Sequence, residues 1–282
     1  MVYLKIAYNI GERTMKKLIT SIIAAAAVMP AFAAPETVNL MDKNVWEHKY
    51  MMRTPEEGLL RISGMYCIRL KTPAKLDAAK KYTIRGKVKL GENSPVTEIS
   101  VGFTLLDKTG RTMPLNNFWA IKDSHAQLTG AVKNGDTVIK IKAENPKVWR
   151  PVPGWAVMFQ AQKDLSDLPN EKTSADLAKV EKNADGTQTV TLKSPVKYDL
   201  PAGTQIRLCS GYSIYFNLYK MKPVTSEWQD FNVSISGEQL PPGIYNGKKF
   251  PAGVDSIRLF IMVNWLNKKA TTEFKDMVME IE

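Results

Sequence analysis

Short runs of alternating hydrophobic and polar residues follow one another along this chain from Glu56 onward. The runs are rich in Val, Ile, Thr, Tyr and Phe, and Gly, Pro, Asn or Asp interrupts them about every ten residues. No apolar stripe of period 3.6 continues beyond two turns, so only brief helices are expected. The pattern predicts an all-β protein, with strands over residues 59–63, 66–70, 82–90, 98–106, 213–220, 228–236, 256–263 and 272–281.

The middle of the chain, from about 116 to 208, has predicted strands of its own. They cover residues 136–142, 156–161, 178–182, 188–193 and 205–208, and the polar KDLSDLPNEKTS at 163–174 is expected to be an exposed loop. A stretch of this length far exceeds an ordinary connection between strands. The sequence therefore predicts an inserted β subdomain at 116–208 within a parent domain made of residues 34–115 and 209–282.

The two flanking pieces share a succession of strand motifs. The first piece contains KKYTIRGKVKL and then EISVGFTLLDKTG; the second contains SEWQDFNVSISGE, FPAGVDSIRLFIMVNW and TEFKDMVMEI. In this order they resemble the jelly-roll carbohydrate-binding modules of the galactose-binding-like superfamily. The resemblance implies an antiparallel β-sandwich, with the small β subdomain inserted, whose aromatic side chains meet sugar rings. It does not imply catalysis, because one fold serves many functions.

The same resemblance implies a structural calcium near the chain ends. Asp276 occupies the matching position in TEFKDMVMEI, but carboxylates are sparse around residues 39–42. Calcium takes about six to eight oxygen ligands. The metal therefore stays unassigned, and no other cofactor is expected.

Residues 1–33 have the pattern of an export signal. The basic MKK at 15–17 precedes an apolar run over 18–28, and AFA at 31–33 supplies the small residues of a cleavage site. The apolar run is too short to span a bilayer, so no transmembrane segment is expected. Residues 1–14 are interpreted as an extension upstream of the signal. We expect a secreted or periplasmic protein that begins near Ala34.

The chain is basic, with a formal net charge of +11. Loss of residues 1–33, which hold four basic residues and one acidic residue, leaves +8. Outside the cytoplasm this charge favours acidic polysaccharides or anionic envelope surfaces, whereas nucleic acid is a poor partner for an exported protein. Lys and Arg are spread without a run of four, so a merely solvated surface is the alternative interpretation.

Cys67 and Cys209 are the only two cysteines. In an oxidising compartment they are a candidate disulfide, which would close a long loop and stabilise the fold by roughly 4 to 5 kcal/mol in the chain-entropy model. The alternative is a pair of buried thiols on separate strands, because bridging requires Cα atoms within about 7 Å.

Familiar catalytic motifs are missing from the sequence. It has no G-x-S-x-G, no H-E-x-x-H, no Gly-rich phosphate loop and no C-x-x-C. His48 and His125, the only histidines, are interpreted as structural or exposed. A polysaccharide lyase is the remaining enzyme hypothesis, and it requires Tyr212, Tyr215 or His125 in a basic groove.

Aromatic residues beside amides or guanidinium groups are candidates for sugar binding, because sugar rings stack on aromatic faces while their hydroxyls need polar partners. By contrast, Trp46, Trp155 and Trp228 are interpreted as core residues. The predicted ligand-binding residues are Asn117, Trp119, Trp149, Arg150, Tyr215, Asn264 and Trp265. The sequence thus predicts a non-catalytic protein that binds a glycan, which the charge suggests is acidic; the alternative is a structural or protein-docking module of the cell envelope.

Overall fold

The computed structural model describes residues 36–239 and 248–282, and the predicted signal region lies outside them. Within these ranges the helices are three short 3-10 turns, Lys43–Val45, Lys49–Met51 and Leu115–Asn117. The strands are β1 (Glu36–Asn39), β2 (Met52–Arg53), β3 (Leu60–Ser63), β4 (Tyr66–Arg69), β5 (Ala74–Lys75), β6 (Lys81–Leu90), β7 (Thr97–Leu106), β8 (Ala126–Leu128), β9 (Val138–Ala143), β10 (Trp155–Phe159), β11 (Thr173–Lys182), β12 (Gln188–Leu192), β13 (Gln205–Ser210), β14 (Phe216–Val224), β15 (Gln229–Ser236), β16 (Glu238–Gln239), β17 (Phe250–Pro251), β18 (Ser256–Val263) and β19 (Thr271–Ile281).

Two antiparallel sheets face each other across one core. The larger sheet has the order β15-β6-β19-β3-β2, with β1 also paired to β19; the smaller has the order β14-β7-β18-β4, with β5 paired to β18. Alternate residues of β6, such as Ile84 and Val88, share the core with Val101 and Phe103 of β7. The period-two pattern of the sequence therefore places one face of each sheet inside, as antiparallel sheets require. The predicted all-β class with an antiparallel sandwich is confirmed.

Strand β7 is buried along its whole length. It is a central strand, paired with β14 on one side and β18 on the other. Its odd-numbered residues Ile99 to Leu105 belong to the core between the sheets, while Glu98, Ser100 and Thr104 are buried on the outer face. The outer face of the smaller sheet is thus covered by protein rather than open to solvent at these positions.

Residues 126–210 contain a closed six-stranded antiparallel barrel in the order β10-β11-β12-β9-β8-β13. Its own core includes Ile141, Phe159, Val190 and Leu208. A barrel of so few strands leaves an interior that side chains fill, so the barrel is a packed body and not a channel. The segment 163–174, predicted as an exposed loop, is a loop until β11 begins at Thr173, but Leu168 and Asn170 within it are buried.

Two chain segments connect the barrel to the sandwich, and they are hydrogen-bonded to each other. Ile121 N donates to Leu208 O at 2.9 Å, and Ser210 N donates to Trp119 O at 3.1 Å. Sandwich and barrel both belong to one compact unit, Glu36–Glu282. The domain boundaries stated from the sequence stay a prediction.

Candidate functional site

Strand β18 ends in a tight loop whose first residue is Asn264. Its φ is +58°, a left-handed conformation that Asn tolerates better than most residues. The Asn264 side chain is buried, and its Nδ2 donates to Ile62 O at 3.2 Å and to Gly64 O at 2.8 Å. The amide predicted to bind ligand therefore holds the loop against the end of β3 instead.

Trp265 follows this anchor and is exposed to 43%, and Leu266 is exposed to 55%. The loop is held by the bond from Trp265 N to Glu98 O at 3.3 Å and by two successive turns, Asn267 N to Asn264 O and Ala270 N to Asn267 O, both at 3.0 Å. A large aromatic side chain is thus presented on a fixed backbone. We call residues 264–270 the tryptophan loop.

Charged and apolar groups surround the tryptophan loop. The carboxylate of Glu98 is buried, with Lys220 Nζ at 2.9 Å from Oε1 and Lys222 Nζ at 3.8 Å from Oε2. Val96, two residues before Glu98, is exposed. Lys268 and Lys269 of the loop itself are also exposed. The exposed indole therefore follows a strand pairing whose partner residue, Glu98, holds the Trp265 main chain through its carbonyl and two lysines through its carboxylate.

Tyr215 lies on the outer face of the smaller sheet. Its hydroxyl accepts a hydrogen bond from Arg69 Nη2 at 2.9 Å, and its ring packs edge-on against buried Phe260 at 5.0 Å. Burial raises the pKa of Tyr215, and the neighbouring Cys67 raises it further. The residue is therefore a partly exposed neutral phenol that covers Phe260.

The predicted pair Asn117 and Trp119 lies at the junction with the barrel. Asn117 is buried, and its carbonyl accepts from Asn170 N at 2.8 Å. The Trp119 ring packs so closely on Gly211 that a Cβ there would lie 2.8 Å from it. Gly211 has φ +92°, which suits glycine. Asn117 and Trp119 therefore hold the connection between the sandwich and the barrel in place.

Trp149 was predicted as a binding residue, and the structure corrects this. It is 3% exposed and belongs to the barrel core, so no sugar reaches its ring. Arg150, the next residue, is exposed. The candidate residues therefore do not form one site: they occupy the tryptophan loop, the outer face of the smaller sheet, the junction and the barrel.

The two cysteines are free thiols. Cys67 lies on β4 of the sandwich and Cys209 on β13 of the barrel. Cys209 Sγ donates to Ala156 O at 3.6 Å, and burial raises the pKa of Cys209 to about 12. The candidate disulfide is therefore absent, and the arrangement is the alternative of two thiols on separate strands.

Of the residues that the lyase hypothesis requires, Tyr212 and Tyr215 have raised pKa values. Burial raises the pKa of Tyr212, whose hydroxyl donates to Ser174 O at 3.3 Å. Burial and then the positive charge of Arg207 lower the pKa of His125. A tyrosine that acts as a general base needs a lowered pKa, and the pKa shift of Tyr212 has the opposite direction.

Trp228 was interpreted as a core residue, which is wrong. It is only partly buried and lies on the outer face of the larger sheet. Lys89 Nζ is 5.0 Å and Lys275 Nζ is 4.3 Å from the centre of its ring. In KVKL (87–90) and EFKD (273–276) the lysines alternate with the core residues Val88 and Phe274. Successive residues of a strand point to opposite faces, so the sequence indicates that these lysines lie on the outer face of the sheet.

Several clefts open on the surface. One, of about 640 Å³, lies on the barrel between Gln127, Gln162 and Gln205, with the ion pair of Lys163 and Glu144 on its rim. Another, of about 740 Å³, lies beside the Asp107–Arg111 turn and Glu171. The first is lined by polar and apolar surface in similar measure and the second mostly by apolar surface, including Met113, Pro169 and Val254; both are open to solvent, and aromatic residues are not among the side chains that line them.

Comparison with family models, curated proteins and solved structures returned no significant match to this chain.

In the described residues no group of three or more His, Cys, Asp or Glu side chains is placed to hold a metal ion. Asp276 itself is exposed and has a φ of +54°, at the point where the pairing of β19 with β6 shifts register. None of the helices in the described part of the chain is long and apolar enough to cross a membrane.

Proposed function

We propose that this protein is an exported, non-catalytic carbohydrate-binding protein and that Trp265 is its main contact with a glycan. One observation carries the proposal: Trp265 is the predicted aromatic residue that combines high exposure with a fixed backbone. A preorganised aromatic platform loses little conformational entropy on binding. The resemblance to galactose-binding-like modules and the signal pattern at 15–33 support the same function.

Neighbouring groups give the platform its polar partners. The ammonium groups of Lys220 and Lys222 are close to Glu98, whose carbonyl holds Trp265 N. A sugar stacked on the indole could receive hydrogen bonds from these donors. Hydroxyl recognition by a few polar groups around an aromatic face is the common design of such sites.

A second candidate function is protein docking, and exposed Leu266 and Val96 favour it. Aliphatic side chains beside a tryptophan enlarge an apolar patch, and such patches mark protein contacts when they are large. The two functions make different demands on Leu266. Sugar stacking requires the indole only, whereas a protein contact would use both side chains.

The test is a glycan-array screen followed by calorimetric titration of the strongest glycan. We expect Trp265→Ala to weaken binding at least tenfold and Leu266→Ala to leave it within twofold. Tyr50→Ala is a matched control, because Tyr50 is an exposed aromatic residue elsewhere on the surface. Absence of binding to the whole array, or equal binding by wild type and Trp265→Ala, would overturn the proposal.

A further inference from the structure

The outer face of the larger sheet places two lysines directly opposite each other. Lys87 of β6 and Lys275 of β19 are register partners, so their Cβ atoms are about 5 Å apart on the same face. Like charges in this position destabilise a sheet. An anion held between the two ammonium groups would remove the repulsion.

Nearby carboxylates do not neutralise this pair. Glu273 is buried and already accepts from Arg61 Nε at 2.8 Å, and Lys89 Nζ lies 3.3 Å from its other oxygen. In the described part of the chain no carboxylate lies within ion-pair distance of Lys275. Lys87 has only exposed Asp230, at 4.0 Å. Positive charge is therefore left over at the centre of this face.

Trp228 completes the surface. Its ring lies beside the ammonium groups of both Lys89 and Lys275 and remains partly exposed. An indole next to the unneutralised Lys275 can contact the apolar side of a sugar while this lysine and Lys87 bind its acidic substituent. We call Lys87, Lys89, Lys275 and Trp228 the lysine–tryptophan face.

We propose that the lysine–tryptophan face binds an acidic polysaccharide through its carboxylate or sulfate groups. The ligand class rests on the proposed function, but the face is the outer surface of the larger sheet, whereas the tryptophan loop is the connection between β18 and β19. Glu273 and Asp230 are interleaved with the lysines. They would repel a DNA duplex, which carries a charge about every 1.7 Å along its axis, and suit a chain with more widely spaced charges.

The experiment measures binding of polygalacturonate, dextran and double-stranded DNA at several salt concentrations. We expect polygalacturonate to bind with a salt-dependent affinity that Lys87→Gln/Lys275→Gln lowers at least tenfold. The control Lys108→Gln/Lys122→Gln removes the same charge at exposed positions and should change affinity less than twofold. The variant at the site should also unfold at the same or a higher temperature, because the like-charge pair is gone.

Three outcomes would overturn the inference: equal losses in both double variants, DNA binding as tight as polygalacturonate binding, or no polygalacturonate binding. Trp265→Ala separates the two proposals, since it should leave polygalacturonate binding unchanged. If the array shows no ligand for the tryptophan loop while Lys87→Gln/Lys275→Gln still abolishes polygalacturonate binding, the loop assignment fails and the lysine–tryptophan face stands.

Discussion

Arg207 donates from Nη2 to Asp167 Oδ2 at 2.5 Å, and both side chains are withdrawn from solvent. Arg207 Nη1 also donates to Gln162 O at 2.9 Å. The pair fastens the loop that follows β10 to the wall of the barrel.

Removal of one member of this pair leaves the other charged and buried. We therefore expect Asp167→Ala to lower the free energy of unfolding by about 3 to 5 kcal/mol, measured by urea denaturation. The double variant Arg207→Met/Asp167→Leu should recover much of that loss, because a well-packed apolar pair replaces a buried ion pair at little cost. A loss below about 1 kcal/mol in Asp167→Ala would show that the pair is solvated.

The tryptophan loop separates a structural residue from an exposed one. Asn264→Ala removes both hydrogen bonds to Ile62 O and Gly64 O, so it should lower the free energy of unfolding by about 1 to 3 kcal/mol. Trp265→Ala should change it by no more than about 0.5 kcal/mol. Thermal melts of the two variants check this, and a large drop for Trp265→Ala would make Trp265 a packing residue.

Asp107 gives the protein a dependence on pH. Hydrogen bonds from Thr109 and then Arg111 lower its pKa from 3.8 to about 2. Because the pKa of Asp107 is lower in the folded protein than in the unfolded chain, its carboxylate stabilises the fold at pH values above the unfolded-state pKa. This stabilisation is lost as the pH falls through the folded-state pKa. The stability difference between wild type and Asp107→Asn should therefore shrink between pH 4 and pH 2. Urea unfolding across this range measures it; a constant difference would contradict the assignment.

Both thiols should be slow to react in the folded protein. Burial raises the pKa of Cys67, and it raises that of Cys209 to about 12, so the reactive thiolate is scarce at neutral pH. We expect a thiol reagent to label Cys209 only after denaturation, and non-reducing mass spectrometry to find no peptide that joins the two. A joined peptide would show that oxidation changes the fold.

Strand β14 pairs with β7 so closely at Gly102 that this position requires glycine. A Cβ on this residue would lie 2.2 Å from Phe216 O and 2.9 Å from Asn217 Cα, which are backbone atoms that cannot move aside separately. Gly102→Ala should therefore lower the free energy of unfolding by roughly 3 kcal/mol or more. Gly130→Ala is the control, since nothing lies within 4 Å of its added Cβ; it should be neutral. Equal stabilities of the two variants would refute the argument.

The long strands could be predicted because one face of each is apolar. The alternation in KKYTIRGKVKL is that of β6, and the runs around Val101 and Ile261 are those of β7 and β18. Strands of two or three residues, such as β2, β5 and β8, were not predicted. They are too short for an alternation, and they exist only because a neighbouring strand supplies their hydrogen bonds.

The candidate site was harder to predict, because exposure depends on which surfaces meet. Trp149 and Trp265 both stand next to polar residues in the sequence, but closure of the barrel buries the first and not the second. The prediction for Trp228 was wrong, although the alternation of β15 indicates its orientation. Phe231 and Ile235 face the core, and residue 228 is an odd number of positions from both, so its side chain faces outward. The left-handed φ of Asn264 has no sequence signal beyond the residue type.

The paired segments that join the barrel to the sandwich have a mechanical consequence. Two chains that run side by side, bonded from Ile121 to Leu208 and from Ser210 to Trp119, resist twisting where a single linker would swivel. The barrel is thus less free to rotate about this connection than it would be on a single linker.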